Sequence, residues 1–281
     1  MKQKPTQIIL PRKTQQAATL FIAALSTASL QATLTVVNVD FGPDGQTVQT
    51  GLAAFTSDPG GATATWNGVD GTSPTAAGLL DSTGTATTVG LNFNSRGSFG
   101  ALADQEVSAG AGAAGLLGDY LSSRADNNGF DLRGGNTISG LDPSLTYDLY
   151  LYGQGDNFED TNNNGGQNAG FRLNGSTEVR HTSYDGTVGG DGVLVEDVEY
   201  VLFSGISPDA TGAITFEYFN PGNGTTDPQF NDTSTGSVDL DGNNSRFSAV
   251  NGFQLVFTVP EPSSTLLLGL SGLGLLLRRR R

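Results

Sequence analysis

Hydrophobic and polar residues alternate with a period of two in several segments of the chain. Val89, Leu91 and Phe93 share one face of such a segment, and polar or small residues separate them. The same alternation recurs in three further segments, residues 146–152, 213–219 and 253–259. Because side chains of a β-strand point alternately to its two faces, this pattern predicts strands that are buried on one side.

The segment Leu34–Phe41 is more continuously apolar, which predicts a central strand. Gly-, Asn- and Asp-rich turns separate the apolar runs, and only residues 116–122 suggest a helix. The sequence therefore predicts an all-β fold, an antiparallel β-sandwich, with a jelly roll as the expected topology.

The amino terminus has the order of a secretory signal. Four basic residues in positions 2–13 precede an apolar run at residues 17–30, and small Ala32 follows. This order predicts a signal helix over residues 1–32 that directs export, with cleavage after Ala32. The alternative is a buried helix of the domain itself.

The carboxyl terminus combines three features. Pro260, Glu261 and Pro262 precede an apolar run, Ser263–Leu277, and the chain ends in the basic cluster Arg278, Arg279, Arg280 and Arg281. The run is about 22 Å long as a helix, against about 30 Å of membrane hydrocarbon. It predicts a marginal transmembrane helix, whose arginines stay on the cytoplasmic side and stop transfer.

The predicted domains are residues 1–32, 33–259 and 260–281.

The last 22 residues resemble the PEP-CTERM sorting signal in the order and spacing of these features. The resemblance implies that an exosortase, a membrane transpeptidase, recognises Pro260, Glu261 and Pro262 and processes the tail. It also implies delivery to the cell envelope or the extracellular matrix, with the secretion machinery and the membrane as partners during export. The alternative is a plain tail anchor.

Charge and composition exclude several classes of function. Residues 33–277 contain six arginines and no lysine against 28 carboxylates, a net charge of −22. Such a surface does not suit a nucleic-acid backbone. The chain has no cysteine and a single histidine, His181, which excludes thiolate zinc sites and makes a Ser-His-Asp hydrolase a poor fit.

One loop predicts bound Ca²⁺. Asp160, Asn162 and Asn164 place oxygen ligands at alternate positions, as in the first half of a calcium loop. Phe171 stands where an EF-hand has its bidentate glutamate, so the prediction is an irregular site to which Asp156 contributes a further carboxylate. The alternative is that these residues simply form turns.

The only tryptophan, Trp66, suggests a carbohydrate site. Its ring could stack on a sugar while Asn67 and Asp70 bind the hydroxyl groups. The alternative places Trp66 in the core.

The central domain also shows a loose resemblance to galactose-binding-like and malectin-like jelly rolls. Four segments carry it, namely Val37–Phe41, Trp66-Asn67, Gly140–Tyr147 and Asn251–Leu255. The resemblance implies a jelly-roll fold and favours glycan binding, without identifying a site.

These observations favour an exported, non-enzymatic β-sandwich that is structural or glycan-binding in association with exopolysaccharide, and no catalytic residue is assigned. The alternative is a calcium-assisted polysaccharide hydrolase or lyase that uses loop carboxylates, since 28 acidic residues leave such pairs open. A surface adhesin for other proteins is a third possibility.

Deletion of residues 260–281 tests the sorting signal. We expect the truncated protein to be released into the medium, because nothing then retains it at the membrane. Immunoblots of cell and medium fractions measure this, with the full chain as the control. Unchanged cell association would contradict the sorting function of the tail.

Overall fold

The structure is a computed structural model that describes residues 32–42, 48–100, 114–124, 132–155, 167–183, 193–219 and 247–260. The chain divides into two compact units. One unit is Leu34–Thr258. The other comprises Met1–Thr33 and Val259–Arg281, and only residues 32–33 and 259–260 of it are described.

Strands make up almost all of the regular secondary structure in the described chain. Their bounds are β1 Ala32–Gly42, β2 Asn67–Asp70, β3 Thr75–Ala76, β4 Gly90–Asn92, β5 Gly97–Phe99, β6 Tyr120–Arg124, β7 Leu132–Ser139, β8 Tyr147–Tyr152, β9 Gly170–Leu173, β10 Arg180–His181, β11 Tyr200–Ile206, β12 Ile214–Phe219, β13 Phe247–Val250 and β14 Gly252–Pro260. A single turn of α-helix, α1, covers Ala114–Leu117, and a 3₁₀ turn covers Gly61–Thr63.

These strands form three sheets. Their orders are β11-β8-β14-β1-β2, β10-β9-β12-β7-β4-β3 and β13-β6-β5. β1 and β2 pair in parallel, whereas β8 pairs antiparallel with both β11 and β14. The strand pairs of the other two sheets are antiparallel. The all-β prediction is confirmed.

The main core lies between the five-stranded and six-stranded sheets. Phe93, just after β4, packs its ring 4.5 Å from that of Phe41 on β1 and 5.5 Å from that of Phe216 on β12. Both sheets thus contribute alternate side chains to one cluster, as in a sandwich. The predicted alternation is confirmed, because Val89 and Leu91 are also buried there.

The five-stranded sheet is covered on its second face as well, and that face carries buried polar side chains beside a small apolar cluster. Gln254 donates to Asn38 Oδ1 at 2.9 Å, and Asn38 donates to Asp58 Oδ2 at 2.9 Å. The hydroxyl of Tyr152 donates to Gln254 Oε1 at 2.5 Å and accepts the backbone N–H of Ala54 at 2.9 Å. The loop from residue 48 to residue 66 is therefore fastened to the sheet by hydrogen bonds, and β1, an inner strand between β14 and β2, is covered on both faces.

The predicted helix at residues 116–122 is wrong over most of its length. The helix α1 ends at Leu117, and Tyr120–Arg124 forms β6. β6 pairs with β13 on one side and β5 on the other, so distant partners determine its conformation. The jelly-roll topology stays a prediction.

The terminal helices that the sequence predicts lie outside the described residues. No helix within the described part of the chain is long and apolar enough to span a bilayer.

Replacement of Phe93 by alanine measures the stability of the core. We expect Phe93→Ala to lower the free energy of unfolding by about 3–5 kcal/mol, because it leaves a cavity between the sheets. Phe99→Ala is the matched control, since Phe99 is 45% exposed and its ring stacks on that of Tyr120, with centroids 5.6 Å apart, outside the main core cluster. Its expected loss is about 1 kcal/mol or less. Urea denaturation of both variants measures the difference, and equal losses would contradict this packing.

Candidate functional site

Three aspartates meet where β1 and β2 end. β1 and β2 pair so that Asp70 lies beside Gly42, and Asp40 is two residues before Gly42, on the same face of the strand. Asp119 reaches this face from the segment between α1 and β6. A Cβ at Gly42 would lie 2.2 Å from Asp119 Oδ2, so only glycine allows this close approach.

The main chain around Asp119 is held in place by Asn251. The side-chain amide of Asn251 donates to Asp119 O at 2.8 Å, and its Oδ1 accepts the backbone N–H of Gln154 at 2.7 Å. The helix α1 is held nearby, because Leu116 donates its backbone N–H to the side chain of Gln49 at 3.2 Å. The position of Asp119 is thus defined by residues far from it in the sequence.

Asp40 and Asp119 are buried, with 3% and 4% of their surface exposed. Burial raises the pKa of Asp40 to about 7. The backbone hydrogen bond from Gln49 opposes this rise, and the charge of Asp70 adds to it. Burial, followed by the charges of Asp40 and Asp70, raises the pKa of Asp119 to about 8. Both carboxyls therefore have a pKa close to neutral pH.

One oxygen of each buried carboxylate has no hydrogen-bond partner. Asp40 Oδ2 accepts the backbone N–H of Gln49 at 2.7 Å, which leaves Oδ1 bare, and Asp119 Oδ1 is bare as well. Within the described ranges, no group of three or more His, Cys, Asp or Glu side chains is arranged as a metal site. Asp70, which is exposed, thus acts on the buried pair through its charge.

A second feature is an open groove of about 490 Å³ at one end of the sandwich. It is lined by the turn after β9, the end of β11 and the start of β12, residues 173–176, 206–209 and 213–215. Its rim combines apolar Leu173 and Ile206 with exposed polar Asn174 and Ser207. This size and mixture of groups are typical of sites for small polar ligands.

The groove has a fixed wall. Asp209 Oδ1 accepts hydrogen bonds from Thr211 Oγ1 at 2.6 Å, from the backbone N–H of Thr211 at 2.8 Å and from that of Ala213 at 3.1 Å. These hydrogen bonds lower the pKa of Asp209, and the bond from the Thr211 side chain contributes most. Asp209 is therefore a stable anion at neutral pH. The backbone N–H of Asn174 donates to Thr215 O at 2.8 Å and joins the turn after β9 to β12.

The residues predicted to bind a sugar do not form one accessible site. Trp66 is 6% exposed, its ring centroid lies 6.4 Å from that of Tyr152, and its Nε1 donates to Gly51 O at 2.9 Å. This ring is not available to stack on a ligand, because it packs between the covering loop and the sheet. Asn67 uses its amide to join Asn38 O and the main chain of Leu80.

The predicted metal ligands Asp156, Asp160, Asn162 and Asn164 lie outside the described residues, so that site stays a prediction. Sequence reasoning missed the Asp40–Asp119 pair, although one signal was present. Asp40 is an acidic residue within a continuously apolar segment predicted to be a central strand, and a buried carboxylate at such a position needs a partner. Nothing local indicated that Asp119 would lie beside it.

His181 has a structural environment. The imidazole Nδ1 lies 3.0 Å from Thr182 O, and neighbouring Arg180 forms an ion pair with Glu196 at 2.7 Å and with Asp197 at 3.1 Å. These contacts join β10 to the segment before β11.

Comparison with known proteins identifies the tail. The family model described as the PEP-CTERM protein-sorting motif matches residues 258–281. This match confirms the sorting signal predicted from Pro260, Glu261 and Pro262. No curated protein and no solved structure matches the chain. The match spans the tail, so the role of the sandwich has to be argued from its own residues.

The buried pair predicts a pH dependence of stability. With any metal removed by a chelator, Asp40 and Asp119 keep their protons in the folded state up to their raised pKa. In the unfolded chain the same residues lose their protons above the ordinary aspartate pKa near 4. Stability is therefore greatest at low pH and falls as pH rises from about 4 through 7 and 8. One unit of pKa difference corresponds to about 1.4 kcal/mol, and each kcal/mol to about 2–4 °C in Tm.

We expect the Tm of the chelated protein to fall by several degrees between pH 5 and pH 8, as measured by calorimetry. In Asp119→Asn this fall should be smaller, because the neutral amide does not titrate. Asp142→Asn is the control, since Asp142 is exposed and hydrogen bonds from Ser144 lower its pKa, out of this range. The same fall in Asp119→Asn and in the native chain would contradict the raised pKa.

Proposed function

We propose that this exported protein, which exosortase sorts towards the cell surface through its PEP-CTERM signal, is a non-enzymatic component of the cell envelope or extracellular matrix that associates with exopolysaccharide. The observation that carries the proposal is the sorting signal at residues 258–281. The signal accounts for export and for membrane-linked sorting. The association with polysaccharide is inferred from the sandwich itself.

The environments of the titratable groups support a non-enzymatic role. A general acid or base must reach the atom that it protonates or deprotonates. The two carboxyls with a pKa near neutrality, Asp40 and Asp119, are almost fully buried, so a polymer cannot contact them. Exposed Asp142 and Asp209 have a lowered pKa because they accept hydrogen bonds within turns, and they remain ionised. These described groups suit a stable scaffold better than a glycosidase pair.

The groove at the end of the sandwich is the best candidate contact for a glycan. Asn174 and Ser207 are exposed donors and acceptors at its rim, and Asp209 offers a fixed negative charge. Leu173 and Ile206 supply apolar surface for the carbon face of a sugar ring. An anionic wall and a chain of net charge −22 between residues 33 and 277 favour neutral over acidic polysaccharides.

Retention on a panel of immobilised neutral and acidic glycans tests this function. We expect native protein to be retained by a neutral glycan without release of new reducing ends. Ser207→Trp should weaken retention at least about tenfold, or about 1.4 kcal/mol, because the indole fills the groove. Ser204→Trp is the matched control, since Ser204 is an exposed serine of β11 that does not line the groove.

Equal retention of both tryptophan variants would contradict binding in the groove. Release of reducing ends would favour the alternative, a polysaccharide hydrolase or lyase. Absence of retention on every glycan would leave a structural role and contradict glycan binding.

A further inference from the structure

We propose that Asp40 and Asp119 together bind a divalent cation, and that the donor set of carboxylate oxygens favours Ca²⁺. The two residues are 79 positions apart in the sequence and come together only in the folded chain. This site is distinct from the loop at residues 156–164 and does not depend on the proposed association with polysaccharide.

The bare oxygens are the first observation. Asp40 Oδ1 and Asp119 Oδ1 are both buried and have no hydrogen-bond donor. A buried carboxylate oxygen without a partner is costly, and proteins satisfy such atoms with donors, opposite charges or metal ions. Here one oxygen of Asp40 already has its donor, the backbone N–H of Gln49, so the second oxygen is the one left for a ligand.

The second observation is that the ion pairs of the described residues do not include either carboxylate. Among the described residues, Arg172 pairs with Glu217, and Arg180 pairs with Glu196 and Asp197. Neither Asp40 nor Asp119 takes part in an ion pair there, and the chain has no lysine between residues 33 and 277. A cation from the solvent can therefore supply the positive charge that offsets these carboxylates.

The arrangement of charges favours a divalent ion over a proton. A single proton neutralises one carboxyl and leaves the second, whereas one Ca²⁺ offsets both. Asp70 adds a third negative charge at the exposed end of β2, and its effect reaches both buried residues. Ca²⁺ takes oxygen ligands from carboxylates, main-chain carbonyls and water. Two carboxylates can therefore be its negatively charged ligands.

Gly42 makes this arrangement possible. Its missing side chain leaves the space that the Asp119 carboxylate occupies, since a Cβ there would lie 2.2 Å from Oδ2 and 2.6 Å from Cγ. Gly42 is in register with Asp70 and lies two residues after Asp40. An alanine at this position would displace the carboxylate without changing the charge of the site.

The test is the calcium-dependent rise in Tm of the full-length chain, measured by calorimetry at constant pH after removal of metal with EDTA. With 10 mM CaCl₂ in place of the chelator, we expect the Tm to rise by about 5 °C, as for a site with a dissociation constant near 10⁻⁴ M. Asp40→Asn and Asp119→Asn should lose most of this rise, because the isosteric amide has no negative charge. Asp142→Asn, the same change at an exposed turn, should retain it.

Gly42→Ala gives a second test that leaves every carboxylate in place. We expect its affinity for Ca²⁺ by titration calorimetry to fall at least tenfold relative to the native chain. Near-UV circular dichroism establishes that each variant is folded before it is compared.

Three results would overturn the proposal. The first is a native chain that neither binds Ca²⁺ in the calorimeter nor changes its Tm. The second is a calcium-dependent rise that persists in both Asp40→Asn and Asp119→Asn, which would place the ion elsewhere, as in the loop at residues 156–164. The third is an unchanged affinity in Gly42→Ala.

Discussion

The structure depends on a five-stranded sheet whose inner strands are covered on both faces, one of them apolar and the other with buried polar side chains. Polar residues of β1, β8 and β14 on the second face cannot be left without partners, because a buried hydrogen-bonding group costs free energy when it is unpaired. Asn38, Tyr152 and Gln254 bond to one another at 2.5 and 2.9 Å, and each also bonds to the covering loop at 2.9–3.0 Å. Trp66 completes this layer with its apolar ring. The loop is therefore part of the fold, and Trp66 is part of its attachment.

The same polar face contains the Asp40–Asp119 pair, where hydrogen bonding is incomplete. At its other end the network is satisfied by amides and hydroxyls, whereas near Gly42 each of two buried carboxyls has an oxygen without a hydrogen-bond partner. A protein sorted towards the cell surface can use such an incomplete site, because a dissolved cation then contributes to stability by mass action. The groove lies apart from this layer, among the loops after β9 and β11, where a ligand can approach without disturbing the network.

The alternation of residues predicted the strands well, and the reason is local. Val89, Leu91 and Phe93 are buried on one face because a strand has a period of two whatever its partners are. The helix predicted at residues 116–122 was wrong because Tyr120–Arg124 is recruited as a strand by β13 and β5, and no local signal reports distant partners. For Trp66 the sequence left a ligand platform and a core residue open, and only the covering loop distinguishes them.

Sequence alone determined the all-β class and the sorting signal, because strand periodicity and a linear motif read by another enzyme are both local properties of the chain. Tertiary structure decided which polar residues meet. Asp119 reaches Asp40 across 79 positions, and Gln254 reaches Asn38 across 216. Such meetings depend on how sheets stack and how loops return over them, and burial then changes the chemistry of the groups that meet. Asp119, whose local sequence gives no sign of burial, becomes in this fold a buried carboxyl with an oxygen that has no hydrogen-bond partner.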